Sequence, residues 1–277
     1  MKVLIATDKP FAKIAVDGIR KEIEAAGFEL ALLEKYTEKK QLLDAVADAN
    51  AIIIRSDIID NEVLDAAKQL KIVVRAGAGY DNVDLESATK HGVCVMNTPG
   101  QNSNAVAELA FGMMVYAVRN FYNGTSGTEL MGKKLGIHAY GNVGRNVARV
   151  AKGFGMEIFA YDAFCPKEVI EKDNVTALSS EAELYATCDV VSLHIPATAE
   201  TKNSINYALL NKMPKGGLLV NTARKEVINE AELVQLMTDR PDFKYITDIM
   251  PLNAAELSEK FAGSYFSTPK KMGAQTA

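Results

Sequence analysis

The segment from Lys134 to Asp162 reads as a strand, a glycine turn, a helix and a second strand ending on an acid, and that order limits the fold more than any other feature. Lys134-Leu-Gly-Ile-His138 supplies the first strand and Ala139-Tyr140-Gly141-Asn142-Val143-Gly144 the turn. Val143, Val147, Val150 and Ala151 then recur at helical spacing. Gly141 lets backbone approach a pyrophosphate, Gly144 lets the helix lie close to the strand, and the helix N-terminal amides can bind phosphate oxygens. Asp162 closes Glu157-Ile-Phe-Ala-Tyr161, eighteen residues past Gly144, where a carboxylate accepts ribose hydroxyls. Ala163, Phe164 and Cys165 follow and offer no arginine for a further phosphate, so the pattern predicts NAD rather than NADP. Ala139 stands at the first glycine position, and a bare turn of this kind also serves ordinary strand-to-helix connections. The flanking strands, the helix and the acid are what point to a dinucleotide, with an alanine methyl tolerated beside a slightly displaced phosphate.

Short β-branched runs alternate with amphipathic segments along the whole chain, which predicts parallel sheets covered by helices. Before the glycine turn, strands are expected at Lys2–Ala6, Glu29–Leu33, Ala51–Ile54, Ile72–Arg75 and Val93–Met96, with helices at 11–26 and 39–48. Asn97-Thr-Pro-Gly100 breaks this series. A helix apolar over much of its circumference follows from Ser103 to Asn120, a pattern expected between domains or subunits. Later strands are expected at Val190–His194, Leu218–Asn221, Lys244–Thr247 and Tyr265–Ser267. The fold class is therefore α/β: two Rossmann-like, doubly wound parallel-sheet domains with a cleft between them. Residues 1–98 with 268–277 would bind substrate, and 99–267 would bind NAD.

A formal charge of -4 with dispersed signs argues against nucleic acid as a partner. No apolar stretch approaches a membrane span, and Met-Lys-Val-Leu-Ile-Ala is too short for a signal peptide. Cys94, Cys165 and Cys188 are odd in number and far apart, which suggests neither disulfides nor a metal site. A reducing cytoplasm is the expected location.

Several further segments, in order, resemble the D-isomer-specific 2-hydroxyacid dehydrogenases, and within them the phosphoglycerate branch. They include Ile54-Arg55-Ser56, Arg75 through Asp84, Asn97-Thr-Pro-Gly100, Val106-Ala-Glu108, Ser192-Leu-His-Ile-Pro196, Asn221-Thr-Ala-Arg224, Asp248 and Thr268-Pro269 with Gly273-Ala274. The residues alone suggest that the loop after Arg75, with Gly77 and Gly79, turns its amides toward a carboxylate. Arg224, after the strand at 218, can clamp a 2-keto acid through two parallel hydrogen bonds. The resemblance implies Arg55, Ser56, Arg75, Ala76, Gly77 and Asn102 at the substrate. It implies Tyr140, Gly141, Asn142, Val143, Gly144, Asp162, His194, Pro196, Thr201, Thr222, Ala223, Arg224 and Asp248 at NAD, and no metal. His91 and His138 read as structural. A homodimer through the long helix is implied as well, and the family continues past the region of Gln275 into a helix. With no room for an appended regulatory domain, inhibition by serine through one is not expected.

The chain departs from this family where it matters most. Most members carry a histidine after Thr-Pro and a supporting glutamate upstream; here the segment is Thr268-Pro-Lys270-Lys271-Met-Gly-Ala274, and Asn253 stands at the glutamate position. The Gly-Ala turn aligns Lys271 with the histidine, whereas Thr-Pro aligns Lys270. A lysine is already cationic at neutral pH and needs no carboxylate to keep it so. The expected activity interconverts D-3-phosphoglycerate and 3-phosphohydroxypyruvate, with Arg224 orienting the acid and Lys271 as acid/base. The phosphoglycerate branch often has a second arginine two residues after Arg55, where this chain has Asp57, so a glyoxylate or hydroxypyruvate dehydrogenase is the alternative enzyme. A corepressor-like NAD(H) sensor is the alternative of another class.

Overall fold

The β-branched runs become strands of two all-parallel sheets, alternating with helices, in a computed structural model that describes residues 1–276. Contacts divide the chain into two units, one ending at Gln101 and the other starting at Asn102.

The first unit holds β1 (Lys2–Thr7), β2 (Glu29–Glu34), β3 (Ala51–Ile54), β4 (Ile72–Arg75) and β5 (Cys94–Asn97), with α1 (Lys13–Ala25), α2 (Lys39–Val46), α3 (Asn61–Ala66) and α4 (Leu85–Lys90) between them. Its sheet runs β2-β1-β3-β4-β5. Leu4, Ala6, Ile52, Ile54 and Val73 share one face, buried with Leu42 and Val46 of α2 and Val63 and Leu64 of α3. Runs as apolar as Ala51-Ile-Ile-Ile54 fit strands of this kind, which have no solvent face to alternate with. The winding reverses between β1 and β3, so the loops after these two strands flank a crevice at the carboxyl edge of the sheet.

The second unit opens with α5 (Ser103–Val118) and continues through β6 (Lys134–His138), α6 (Asn142–Gly153), β7 (Glu157–Tyr161), α7 (Lys167–Glu171), β8 (Thr176–Ala177), α8 (Glu181–Thr187), β9 (Val190–Leu193), α9 (Tyr207–Leu210), β10 (Leu218–Asn221), α10 (Glu230–Asp239), β11 (Lys244–Thr247), α11 (Ala254–Lys260) and β12 (Tyr265–Ser267). The sheet order is β12-β11-β10-β9-β6-β7-β8, and its winding reverses between β6 and β9. The apolar girth of α5 is accounted for within this unit, since Ala107, Ala110, Met114 and Ala117 pack with Leu135, Ile137, Val220 and Ile246 of the sheet. The helix stops at Val118 because Asn120, Phe121 and Tyr122 all take positive φ, at 51°, 54° and 54°. Lys244 of β11 caps its end, donating from Nζ to Ala117 O and Asn120 Oδ1, both at 2.8 Å. The residues after β12, grouped above with the first unit, cluster with the second. Thr268 N donates to Thr247 O at 3.1 Å and Gly273 N to Asp248 Oδ2 at 2.9 Å. No helix among the described residues is long and apolar enough to cross a membrane.

Candidate active site

The glycine turn follows β6 directly and lies beside the β6/β9 crevice. Ala139 extends the β6/β7 ladder, its N–H donating to Tyr161 O at 2.9 Å, and it does so at φ 80°, a left-handed conformation that costs an L-residue free energy. A side chain at Gly144 would overlap the Ala139 carbonyl and press on Ile137, so only glycine permits this approach of α6 to β6. Gly141 is the N-cap of α6, and a Cβ there would meet nothing within 4 Å. The amides of Asn142, Val143 and Gly144 start the helix and have no carbonyl one turn earlier to accept them. Open space at Gly141 edged by such amides fits a pyrophosphate. Tyr140 contributes from inside: it is 1% exposed, its hydroxyl donates to Asp173 Oδ2 at 3.0 Å, and the Arg145 guanidinium stands 5.5 Å from its ring centroid.

Asp162 binds the turn to its own loop. Oδ2 accepts Tyr140 N–H at 2.6 Å, while Oδ1 accepts the N–H groups of Phe164 and Cys165 at 2.8 and 2.9 Å. A carboxylate offers about four acceptor positions, so these three bonds leave room for a ribose hydroxyl. Phe164, 94% exposed, follows where NADP binders need a cation.

Across the crevice, His194 follows β9. Its N–H donates to His138 O at 2.9 Å, extending the sheet. Burial, with His138 adding to it, pulls the His194 imidazole down to about 3. His138 is itself buried, 3.2 Å from the Tyr185 hydroxyl, and burial pulls it down to about 4. Both rings are neutral at pH 7, so His194 does not act as an imidazolium there and offers one N–H and one acceptor nitrogen. Thr201 steadies the loop after Pro196, donating to Pro196 O at 2.6 Å and accepting Thr198 N–H at 2.8 Å. His91 caps the end of α4 beside Asp65, with a ring nitrogen 2.8 Å from Ser87 O.

The carboxyl ends of β10 and β11 carry the charged groups. Asn221 shapes the loop, accepting Ala223 N–H at 3.0 Å and donating to Arg224 O at 3.0 Å. This brings two cations to one carbonyl: Ala223 O accepts from Arg224 Nη1 at 2.9 Å and from Lys271 Nζ at 3.3 Å. Lys271 rather than Lys270 makes this contact. In the register Asn221 pairs with Thr247, so Asp248 emerges beside the same loop. Asp248 is fully buried; burial raises its carboxyl, while the Gly273 N–H, Lys271 and Arg224 pull the other way. Thr222 Oγ1, His194 Nε2 and Asp248 Oδ1 are buried with no hydrogen-bond partner among the described residues. All three lie at or just beyond the carboxyl ends of neighbouring strands, a donor and acceptor set suited to a polar ring substituent such as a carboxamide. Asn253, at the N-terminus of α11, donates its backbone N–H to Glu230 Oε2 at 3.2 Å. Neither Glu230's bracing of this loop nor Asp248's closeness to Lys271 was read from the sequence.

In the first unit, Arg55 follows β3 directly, beside the β1/β3 crevice. Its Nη1 donates to Lys9 O and Pro10 O at 3.3 Å each, and the guanidinium stands 5.5 Å from the Phe11 ring centroid. Asp57 is buried scaffold: it accepts the N–H groups of Asp8 and Arg55 at 2.8 and 3.2 Å and the Tyr36 hydroxyl at 2.7 Å. Ser56 lines a groove of about 410 Å³ with Tyr36, Lys39 and Asp60. The Arg75 guanidinium lies over Gly77, filling the place of a side chain there. The loop amides differ from the reading above: Ala76 N donates to Ile54 O and Gly77 N to Arg75 O, both at 2.8 Å, because the chain continues the β3 ladder before turning. Asn102 precedes α5 and makes no side-chain cap.

Residues 117–263 match the model of the NAD-binding domain of D-isomer-specific 2-hydroxyacid dehydrogenases. The chain is 36% identical over 215 residues to D-3-phosphoglycerate dehydrogenase of Methanocaldococcus jannaschii, covering 73% of this chain and 41% of that one. It is 35% identical over 221 residues to hydroxypyruvate reductase of Thermotoga maritima, covering 75% and 71%. The crystal structure of NAD+-bound 3-phosphoglycerate dehydrogenase from Entamoeba histolytica superimposes with a TM-score of 0.93 at 45% identity, covering 100% of this chain and 89% of that one. The chain thus spans about two fifths of the archaeal phosphoglycerate relative's length.

Proposed function

The chain belongs to the D-isomer-specific 2-hydroxyacid dehydrogenase family, and from that membership we propose that it interconverts D-3-phosphoglycerate and 3-phosphohydroxypyruvate with NAD(H). The observation that carries the mechanism is the Ala223 carbonyl, which gathers the Arg224 guanidinium and the Lys271 ammonium within one hydrogen-bond radius. Asn142, Val143 and Gly144 would hold the pyrophosphate, Asp162 the ribose, and Thr222 and Asp248 the carboxamide. NADH, when bound, supplies hydride for C2 of the 2-keto acid. Arg224 holds the carboxylate and polarises the carbonyl oxygen with a planar pair of donors. Lys271 gives its proton to that oxygen as charge develops, and in the opposite direction its neutral amine takes the hydroxyl proton. Oxidation of the hydroxy acid should therefore rise toward alkaline pH.

Lys271→Ala should lower turnover in both directions by at least about a hundredfold, the usual contribution of a positioned acid/base, while Lys270→Ala stays near wild type. Wild-type turnover in Lys271→Ala would reject the assignment. Consumption of NADH with 3-phosphohydroxypyruvate also separates an enzyme from a sensor that binds NADH without turnover. The buried, fully engaged Asp57 favours weighing a second reading, a glyoxylate or hydroxypyruvate reductase, because it removes one expected phosphate ligand. Arg55→Ala decides between them: it should raise KM for the phosphorylated substrate and leave glyoxylate unaffected. Cytoplasmic location and a homodimer through α5 belong to the same proposal, the latter to be read by light scattering.

A further inference from the structure

We propose that Asp248 is the counter-charge that positions Lys271, in place of the carboxylate that Asn253 does not supply. This rests on the acid/base reading of Lys271 given above.

Three observations place the two groups together. The pairing of Asn221 with Thr247 sets Ala223 and Asp248 at the ends of adjacent strands, and Lys271 Nζ reaches the first of them, at Ala223 O. Asp248 Oδ2 accepts the N–H of Gly273, two residues beyond Lys271, at 2.9 Å, so the carboxylate holds the backbone of the turn that carries the lysine. The fit there is tight: a Cβ at Gly273 would stand 3.0 Å from Asp248 Oδ2 and 3.0 Å from Val106 Cγ2. A side chain there would require Asp248 or Val106 to give by a few tenths of an ångström.

The charges agree with the geometry. Asp248 is fully buried, which by itself disfavours its ionised form, and Lys271 and Arg224 act against that penalty, as do the amides of Gly273 and Met272. Among the described residues these groups come from three elements: Arg224 from the loop after β10, Lys271 and the two amides from the C-terminal turn, and Val106, which is apolar, from α5. Among the groups near Lys271 are Asp248, the Ala223 carbonyl and the like charge of Arg224. Glu230, which braces the loop before α11, is engaged with the backbone N–H groups of Leu252 and Asn253, at 3.0 and 3.2 Å. Asp248 thus has two outlets: Oδ2 fixes the turn, and Oδ1 is left for the ligand. Toward the proton transfer it acts through Lys271, as a positioning residue.

The test is the pH profile of kcat for hydroxy-acid oxidation at saturating NAD, in wild type, Asp248→Asn and Lys271→Met. Asparagine keeps an oxygen for Gly273 N–H and removes the charge. The midpoint of the alkaline rise should therefore fall by roughly one pH unit, the effect of losing an adjacent opposite charge, whereas a purely structural role would change the height of the profile and leave its midpoint. An unmoved midpoint overturns the proposal. Should Asp248→Asn fail to fold, carboxyl-carbon NMR of aspartate-labelled protein decides. Coupling is reciprocal, so the Asp248 titration must move upward in Lys271→Met relative to wild type, and an unchanged titration overturns the proposal equally. Full turnover in Lys271→Met would reject the acid/base reading itself, and the carboxyl titration would still report whether the two charges are coupled.

Discussion

Ala139 carries a cost that its neighbours do not share. At φ 80° it does what the first glycine of such a turn ordinarily does, with a methyl group attached. Ala139→Gly removes a left-handed L-residue but loosens the unfolded chain, and the balance should favour the variant by about 1 kcal/mol. Urea midpoints with an unchanged slope would check this, and a lower midpoint for the glycine variant would show the surrounding hydrogen bonds to be adapted to alanine. At this scale the sequence was informative wherever function is local in the chain. The glycine turn and the acid after β7 lie within one βαβ unit, and Arg224 follows its strand directly. The relation of Asp248 to Lys271 was not readable, because 23 residues separate them and the parallel register of β10 and β11, not spacing, sets them beside one loop. Asp57 was half legible: its position shows the missing second arginine, and only the fold reveals a buried acceptor for three donors.

Strands and helices are held at their ends by side chains from elsewhere. Lys244 satisfies the last turn of α5 from the neighbouring sheet, half-buried against the Phe121 ring at 5.6 Å. Lys244→Met should lower stability by about 1 kcal/mol, the net value of charge-assisted bonds less the cost of burying the ammonium; unchanged urea midpoints would discount the cap. The ends of β6 and β9 carry the imidazoles of buried His138 and half-buried His194, pulled down to about 4 and about 3 from an ordinary 6.5. Their unfolded forms bind protons that the native forms refuse. Stability is therefore full above about pH 6.5 and declines as pH falls toward 4, with His138 alone contributing on the order of 3 kcal/mol. Denaturation at pH 7.5, 6 and 5 should show a monotonic fall, reduced in His138→Gln; a flat profile would mean that the rings are more hydrated than their burial indicates. Helix limits were the less legible feature. The run to Asn120 stops at Val118 because three positive φ angles turn the chain, and the side chains there do not announce it.

The molecule as a whole is two parallel sheets with separate cores, and this was legible because parallel strands, apolar on both sides, stand out as unbroken β-branched runs. β8 escaped notice since Thr176-Ala177 is too short to carry any pattern. Separate cores predict that NADH, bound through the second unit, stabilises that unit selectively. At a hundred times its Kd it should add about 2.7 kcal/mol to the larger of two overlapping calorimetric transitions and leave the smaller in place. One transition moving as a block would show the units to unfold together. The edges of the larger sheet have their own meaning. A seven-stranded sheet is a long template for accidental pairing with other chains, yet it terminates in strands of two residues at β8 and three at β12. So few backbone groups remain on each flank that a neighbouring molecule cannot zip onto either, and resistance to aggregation is built into the places where the sheet runs out.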